Sequence, residues 1–153
     1  MMVKGYKKGY TLYRVALRIM NTPNKHKDIE KKLGIKATHE HKKGDQLEWK
    51  GKIIKNKFYD NDIWILESPM FRNSNFDKHL SWLFKKIFPH KEFLLKLKSK
   101  KVKIDISGSY RTGSPTGGFD IHPKFYKLLM ELNIPFGVSV QFDEPLYRIF
   151  KNV

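Results

Sequence analysis

Alternation of apolar and polar residues predicts three long strands. Residues 11–20 and 101–110 alternate with a period of two, and residues 136–142 repeat that pattern near the end of the chain. Successive side chains of a strand point to opposite faces of the sheet, so this period is typical of a strand that buries one face. We therefore expect each strand to carry one apolar and one polar face.

Apolar residues spaced three and four positions apart predict the helices. The spacing indicates helices over 24–33 and 75–87, and a third helix that begins at His122. Gly34 is expected to end the first helix, because glycine adopts a left-handed backbone without strain. A break at Pro89 separates the second helix from a further short helical segment.

Shorter segments complete the predicted order of elements. A polar loop is expected over 37–46, followed by a pair of strands at 47–55 and 62–67. A loop rich in glycine, serine and threonine spans 112–118. Residues 119–121 are expected to return from that loop as a short strand.

This order of elements is typical of an α+β domain. We predict a mainly antiparallel sheet with the helices packed on one face, and ferredoxin-like elements at the two ends of the chain. The chain has 153 residues and no shift of composition that would mark a linker. A single α+β domain spanning residues 1–153 is therefore expected.

Helices on one face would leave the other face of the sheet open, and its content follows from the alternation. The side chains that we expect there are polar. Those predicted to bind a ligand or partner are Arg14, Arg18, Lys103, Asp105 and Gln141. A solvated sheet face with cross-strand ion pairs would show the same pattern, so the sequence leaves both interpretations open.

The charge of the chain favours an anionic partner. Lys and Arg number 31 against 15 Asp and Glu, which gives a formal net charge of +16 at pH 7. Such a charge attracts acidic proteins, nucleic acids and small anions. Twenty-six of the basic residues are lysines, which lack the planar fork that arginine offers to phosphates and bases. An ordinary solvated surface is therefore an equal alternative.

Cysteine content and hydropathy exclude or disfavour several classes of protein. The absence of cysteine excludes a disulfide scaffold, a thiolate zinc site and a cysteine nucleophile. Arg14 and Arg18 interrupt the apolar stretch near the N-terminus, so a cleaved secretory signal is not predicted. No apolar run approaches the ~18 residues of a membrane-spanning helix. We expect a cytoplasmic protein without a membrane partner.

Local motifs give no catalytic or cofactor signature. Arg111 is our candidate for binding a phosphate or another anion beside the glycine-rich loop, although that loop lacks a Walker ending and is also typical of a mobile turn. His39 and His41, with His26 or Asp45, have only a weak metal-ligand spacing, and we expect no metal. No nucleophile elbow, zinc-protease or kinase signature is present, so no catalytic residue is predicted.

Two tryptophans in the predicted strands bear on nucleic-acid binding. Trp49 and Trp64 could provide stacking platforms for bases. We instead expect both to fill the edge of the core. The predicted open strands carry no exposed aromatic motif of the kind that RNA-binding sheets use.

Spaced motifs along most of the chain resemble one bacterial family. They include Trp64 with Ser68, the segment His79-Leu80-Ser81-Trp82-Leu83, the run Gly117-Gly118-Phe119-Asp120-Ile121 and the alternating strand over 136–142. In these motifs the chain is similar to the family catalogued as domain of unknown function 4279. The resemblance implies a small bacterial α+β protein and carries over no catalytic residue.

The leading functional hypothesis is a non-enzymatic intracellular binding protein. Its concrete form is an immunity- or inhibitor-type protein that covers an acidic partner with a basic face and the open sheet. A protein that binds nucleic acid, a nucleotide or another anion is the second hypothesis, and an enzyme with a site on the open face is the third. The sequence does not fix the oligomeric state, and no cofactor is expected.

Overall fold

A five-stranded sheet forms the centre of the protein. The computed structural model describes residues 9–22, 25–98, 102–114 and 117–143. The strands are β1 (Thr11–Met20), β2 (His39–His41), β3 (Gln46–Trp49), β4 (Lys52–Phe58), β5 (Ile63–Glu67), β6 (Lys103–Thr112) and β7 (Phe136–Phe142). The sheet has the order β2-β5-β1-β6-β7, in which β6 and β7 run parallel and the other neighbours antiparallel, while β3 and β4 form a separate hairpin. The predicted α+β class and mainly antiparallel sheet are confirmed.

Helices cover one face of this sheet. They are α1 (His26–Leu33), α2 (Phe76–Ile87), α3 (Lys91–Lys98) and α4 (Pro123–Leu132), and a 3₁₀ turn over Phe88–His90 joins α2 to α3. Their apolar sides and the inner sides of the strands form a core that includes Val15, Leu17, Ile19, Trp64, Leu80, Ile106, Phe125 and Leu132. None of the described helices is both long enough and apolar enough to cross a bilayer.

The ends of the helices follow from local sequence. The side-chain oxygen of Asn75 accepts a hydrogen bond from the backbone N–H of Lys78 (3.2 Å) and so caps α2. Gly34 ends α1 with φ of 66°, and Asn133 ends α4 with φ of 50°. Both values lie in the left-handed region that glycine and asparagine tolerate best. The predicted helix stop at Gly34 is confirmed.

The region between α1 and β5 differs from the prediction. Residues 37–46, expected to be a loop, contain β2, whose polar residues suit a short and exposed edge strand. Residues 47–55, expected to be one strand, reverse direction at Lys50-Gly51 and contribute to both β3 and β4. The neighbours of β5 are therefore β1 and β2 rather than a strand at 47–55.

Aromatic packing holds the segment after the glycine-rich loop, which forms no strand. Residues 119–121 lack strand pairing, and the ring of Phe119 instead packs edge-on against Phe76 at 4.9 Å and tilted against Tyr110 at 5.3 Å. The prediction of a short strand there is wrong. Outside the described residues lie the first residue of the predicted helix 24–33, the first residue of the predicted strand 101–110, and residues 115–116 of the predicted loop.

Candidate functional site

The strand register places the residues predicted to bind a ligand on the open face of the sheet. Arg18 of β1 lies directly opposite Asp105 of β6, which follows Lys103 by two residues. Gln141 of β7 lies beside Arg111 of β6. The helices pack against the opposite face. The open face therefore carries Arg14, Arg18, Lys103, Asp105, Arg111 and Gln141.

These residues share a face but do not converge on one point. Lys103 and Arg111 stand near opposite ends of β6, and their separation along the strand is about 26 Å. Small side chains, among them Ala16, Ser107 and Ser139, lie between them. The open face is therefore a broad platform.

Ion pairs neutralise most of the charge on the open face. Each of its arginines forms a two-point contact with a carboxylate, with nitrogen–oxygen distances between 2.5 and 2.9 Å. The pairs are Arg14 with Glu67, Arg18 with Asp105 and Arg111 with Asp143. Such paired guanidinium groups have fewer free donors for an external anion. Among the charged residues that the structure describes on the open face, these three pairs leave the positive charge of Lys103 unpaired.

The β3–β4 hairpin, which we call the hairpin arm (residues 46–58), extends beyond the main sheet. Its tip is a two-residue turn in which Lys50 and Gly51 have φ of 51° and 75°, as a type I′ turn requires. At its base the backbone N–H of Tyr59 donates to the carbonyl of Asp45 (3.0 Å). The Tyr59 ring also stacks on His41 of β2, with ring centroids 3.5 Å apart. The arm is thus anchored at the edge of the sheet.

The hairpin arm exposes large apolar side chains among lysines. Trp49, Ile53 and Phe58 are 64%, 62% and 54% exposed. β3 and β4 contact each other far more than they contact any other helix or strand. The lysines of the arm are Lys50, Lys52, Lys55 and Lys57, and its carboxylate is Glu48. Trp49 pairs with Lys52 near the tip and Ile53 pairs with Glu48, so these two side chains lie on opposite faces of the arm, while Phe58 pairs with Gln46 at its base. Several large apolar side chains exposed on one short hairpin are more typical of a binding surface than of ordinary surface.

The two tryptophans of the predicted strands differ in burial. Trp64 is fully buried in the core, as expected. The expectation that Trp49 fills the core edge is wrong, because the turn at Lys50-Gly51 carries it out on the arm. The ammonium of Lys50 lies 5.9 Å from the centre of the Trp49 ring, which is within the range of a cation–π contact.

The histidines near the edge of the sheet bind neighbouring side chains. His26 Nδ1 lies 2.9 Å from Glu40 Oε2, and His41 stacks on Tyr59. Burial is the main cause that lowers the pKa of His41, so this ring favours its neutral form. Within the described ranges, no three histidine, aspartate or glutamate side chains come together as metal ligands would.

The guanidinium group of Arg111, our predicted anion-binding residue, is already paired in the structure. Arg111 is held by Asp143. The described part of the loop is fixed by hydrogen bonds from Gly113 N–H to the carbonyl of Tyr10 (3.0 Å) and from Ser114 N–H to Thr112 Oγ1 (3.0 Å). An anion at this position would therefore compete with Asp143 for Arg111.

A buried Ser68–His79 pair joins the end of β5 to α2. Ser68 Oγ lies 3.1 Å from His79 Nδ1, and it also accepts a hydrogen bond from the backbone N–H of Met70 (3.4 Å). Both side chains are buried. The contact links the sheet to the helix layer, and the sequence pattern alone did not indicate it because the two residues lie on different elements.

Comparison with known proteins identifies the family. The family model described as Domain of unknown function (DUF4279) matches residues 11–143, which contain every strand and α-helix described above. No curated protein and no solved structure matches the chain. Because the family model covers most of the chain, the protein belongs to the DUF4279 family.

Proposed function

We propose that the protein is a non-enzymatic binding protein that contacts an acidic protein partner in the bacterial cytoplasm, through its hairpin arm. The observation that carries this proposal is the exposure of Trp49, Ile53 and Phe58 on an arm that also carries four lysines. Tryptophan is enriched among the residues that dominate binding energies, and lysines around it complement an acidic surface.

The overall charge supports an acidic partner. A net charge of +16 produces a field that accelerates the encounter with an acidic protein. The outer side of α1 adds Lys27, Lys31 and Lys32, which are exposed. The open sheet face contributes less to this field, because Arg14, Arg18 and Arg111 are paired with carboxylates.

The composition of the arm favours a protein over a nucleic acid. Bases stack on flat aromatic rings, whereas the aliphatic side chain of Ile53 offers no such surface. The basic residues of the arm are lysines, and arginine is the residue that reads phosphates and base edges with two-point contacts. The experiment must therefore distinguish protein binding from nucleic-acid binding.

The test measures binding of the full chain to acidic proteins encoded beside its own gene. We expect one of them to form a complex, and the double variant Trp49→Ala/Phe58→Ala to weaken it by roughly 30-fold, because two large exposed aromatic side chains of the arm are lost. Met130→Ala is the matched control, since Met130 is also exposed and apolar but lies on α4. Its affinity should stay within about twofold of the unmodified chain.

Two results would contradict the proposal. One is equal loss of affinity in the Met130→Ala variant and the arm variant. The other is a failure of every neighbouring gene product to bind while single-stranded or duplex DNA is shifted at low salt, with an affinity that falls steeply as salt rises. The second result would assign the arm to nucleic acid.

A further inference from the structure

A cleft lies where the end of β5 meets α2. Its volume is about 450 Å³, within the range of small-molecule sites. Segments near residues 35–39 and 66–72 form its rims, and Trp82 of α2 forms part of its wall. The cleft includes Arg14, one of the residues predicted from sequence to bind a ligand.

Basic side chains outnumber acidic ones around this cleft. Arg14, Lys36 and Arg72 line it together with His39, against the single carboxylate of Glu67. Both oxygens of Glu67 accept hydrogen bonds from Arg14, at 2.8 and 2.5 Å. The carboxylate is therefore already satisfied by one of the cations.

Two of the cations have no partner of their own. Within the described part of the chain, neither Lys36 nor Arg72 forms a side-chain hydrogen bond or ion pair. The charge of Arg72 reaches Glu67 nonetheless. Burial alone would raise the pKa of Glu67, but the hydrogen bond from Arg14 and the positive charges of Arg14 and Arg72 hold that pKa below its ordinary value.

Beside the uncharged polar residues Thr38 and Ser68, the rest of the lining is apolar. Ile35, Leu66, Pro69 and the half-buried Trp82 supply it. A free anion such as inorganic phosphate would leave this surface uncovered, whereas a ligand with a flat apolar body would cover it. Cations at the rim and an apolar wall together select a molecule with an acidic head and an apolar body.

We propose that this cleft binds a small organic acid, with its carboxylate or phosphate at Lys36 and Arg72 and its apolar body against Trp82. The proposal rests on neither the hairpin arm nor a protein partner, so it stands or fails separately from the proposed function. The acidic head does not need to displace Glu67, because that carboxylate is bound by Arg14. It binds the two cations that are unpaired.

The experiment is an NMR titration of the ¹⁵N-labelled full chain. The probes are phenyl phosphate, benzoate, inorganic phosphate and benzylamine, and the indole N–H of Trp82 is assigned from the Trp82→Phe variant. We expect phenyl phosphate or benzoate to shift this signal to saturation, with whichever binds more tightly identifying the acidic head. Benzylamine should not shift it, and inorganic phosphate should bind at least about tenfold more weakly because it leaves the apolar wall uncovered.

Variants test the two cations. Arg72→Gln and Lys36→Gln should each weaken binding by roughly tenfold, because each removes a charge-assisted hydrogen bond. Both side chains are exposed, so the folded spectrum should be retained. Lys127→Gln removes the same charge from the exposed side of α4 and should leave binding unchanged. An unmoved Trp82 signal, equal binding of benzylamine, or an equal loss in the Lys127 variant would overturn the proposal.

Discussion

Gly108 allows α2 and β7 to approach the middle of β6. A Cβ atom at this position would lie 2.9 Å from the Phe136 ring and 3.2 Å from the Phe76 ring. Phe76 is fully buried and meets Phe136 edge-on, with ring centroids 5.8 Å apart. Neither ring can move without disturbing the other, so the space above Gly108 is part of the core packing.

The variant Gly108→Ala should therefore lower the free energy of unfolding by about 1–3 kcal/mol, the usual effect of overpacking a core. Gly137→Ala is the matched control, because it lies on the neighbouring strand and its added Cβ would meet open space. Urea unfolding of both variants provides the measurement. Equal stability of the two variants would show that the close approach at Gly108 is not a constraint.

His79 links stability to pH. Burial is the largest cause that lowers the pKa of His79, and it outweighs the opposing effects of the Phe71 and Ser74 carbonyls and of the Glu67 charge. An unfolded histidine takes up a proton near pH 6.5, whereas the folded one does so at a lower pH. The unfolded state therefore binds more protons in this window, and stability should fall as the pH is lowered below about 6.5.

The variant His79→Gln tests this linkage. It should be less stable at pH 7 because the contact with Ser68 is altered, and its stability should change less between about pH 7 and pH 5.5. His41 keeps part of the pH dependence in this variant, since burial lowers its pKa too. Unfolding measured across this pH range decides the point, and a slope unchanged from the original chain would show that His79 is not responsible.

At the scale of elements, long periodic segments could be predicted from the sequence. β1 and β7 have the predicted bounds, and α2 begins after its cap at Asn75. These elements bury a complete apolar face, so the pattern of the sequence and the packing agree. The short elements could not be predicted in the same way, because β2 has three exposed or half-exposed polar residues and no apolar face.

The hairpin arm was not predicted, because its turn lacks the dipeptide that usually marks a tight hairpin. Asn-Gly and Asp-Gly are the common sequences of a type I′ turn, whereas this turn uses Lys50 before Gly51. A lysine with positive φ carries a modest strain. The apolar residues on both sides of the turn therefore read as one strand, and the sequence did not reveal that Trp49 and Ile53 are exposed.

The arm should be dispensable for folding. Replacing residues 46–58 with Asn-Gly would join Asp45 to Tyr59, whose backbones already form a hydrogen bond of 3.0 Å. We expect this shortened chain to unfold in urea with a stability within about 1 kcal/mol of the original, because the arm contributes no residue to the buried core. Loss of cooperative unfolding would show instead that the arm is part of the core.

At the scale of the whole molecule, the sequence gives the charge but not its distribution. Alternation predicted which polar residues share the open face, since a strand's side chains alternate regardless of its neighbours. The pairing of Arg14 with Glu67 and of Arg18 with Asp105 depends on strand register, which the sequence does not display. Pairing leaves the open face nearly neutral, and it leaves unpaired positive charge on the arm and on α1.

The measurement that tests the central claim most directly compares two charge reversals with the same change in net charge. Lys52→Glu/Lys55→Glu alters the arm, and Lys31→Glu/Lys32→Glu alters the outer side of α1. If the arm contacts an acidic protein encoded beside this gene, the arm reversal should raise the dissociation constant at least tenfold more than the α1 reversal, as judged by calorimetry at physiological salt, since charge at the contact matters more than distant charge. Equal losses for the two reversals would show that only the overall charge matters and would contradict a contact through the arm.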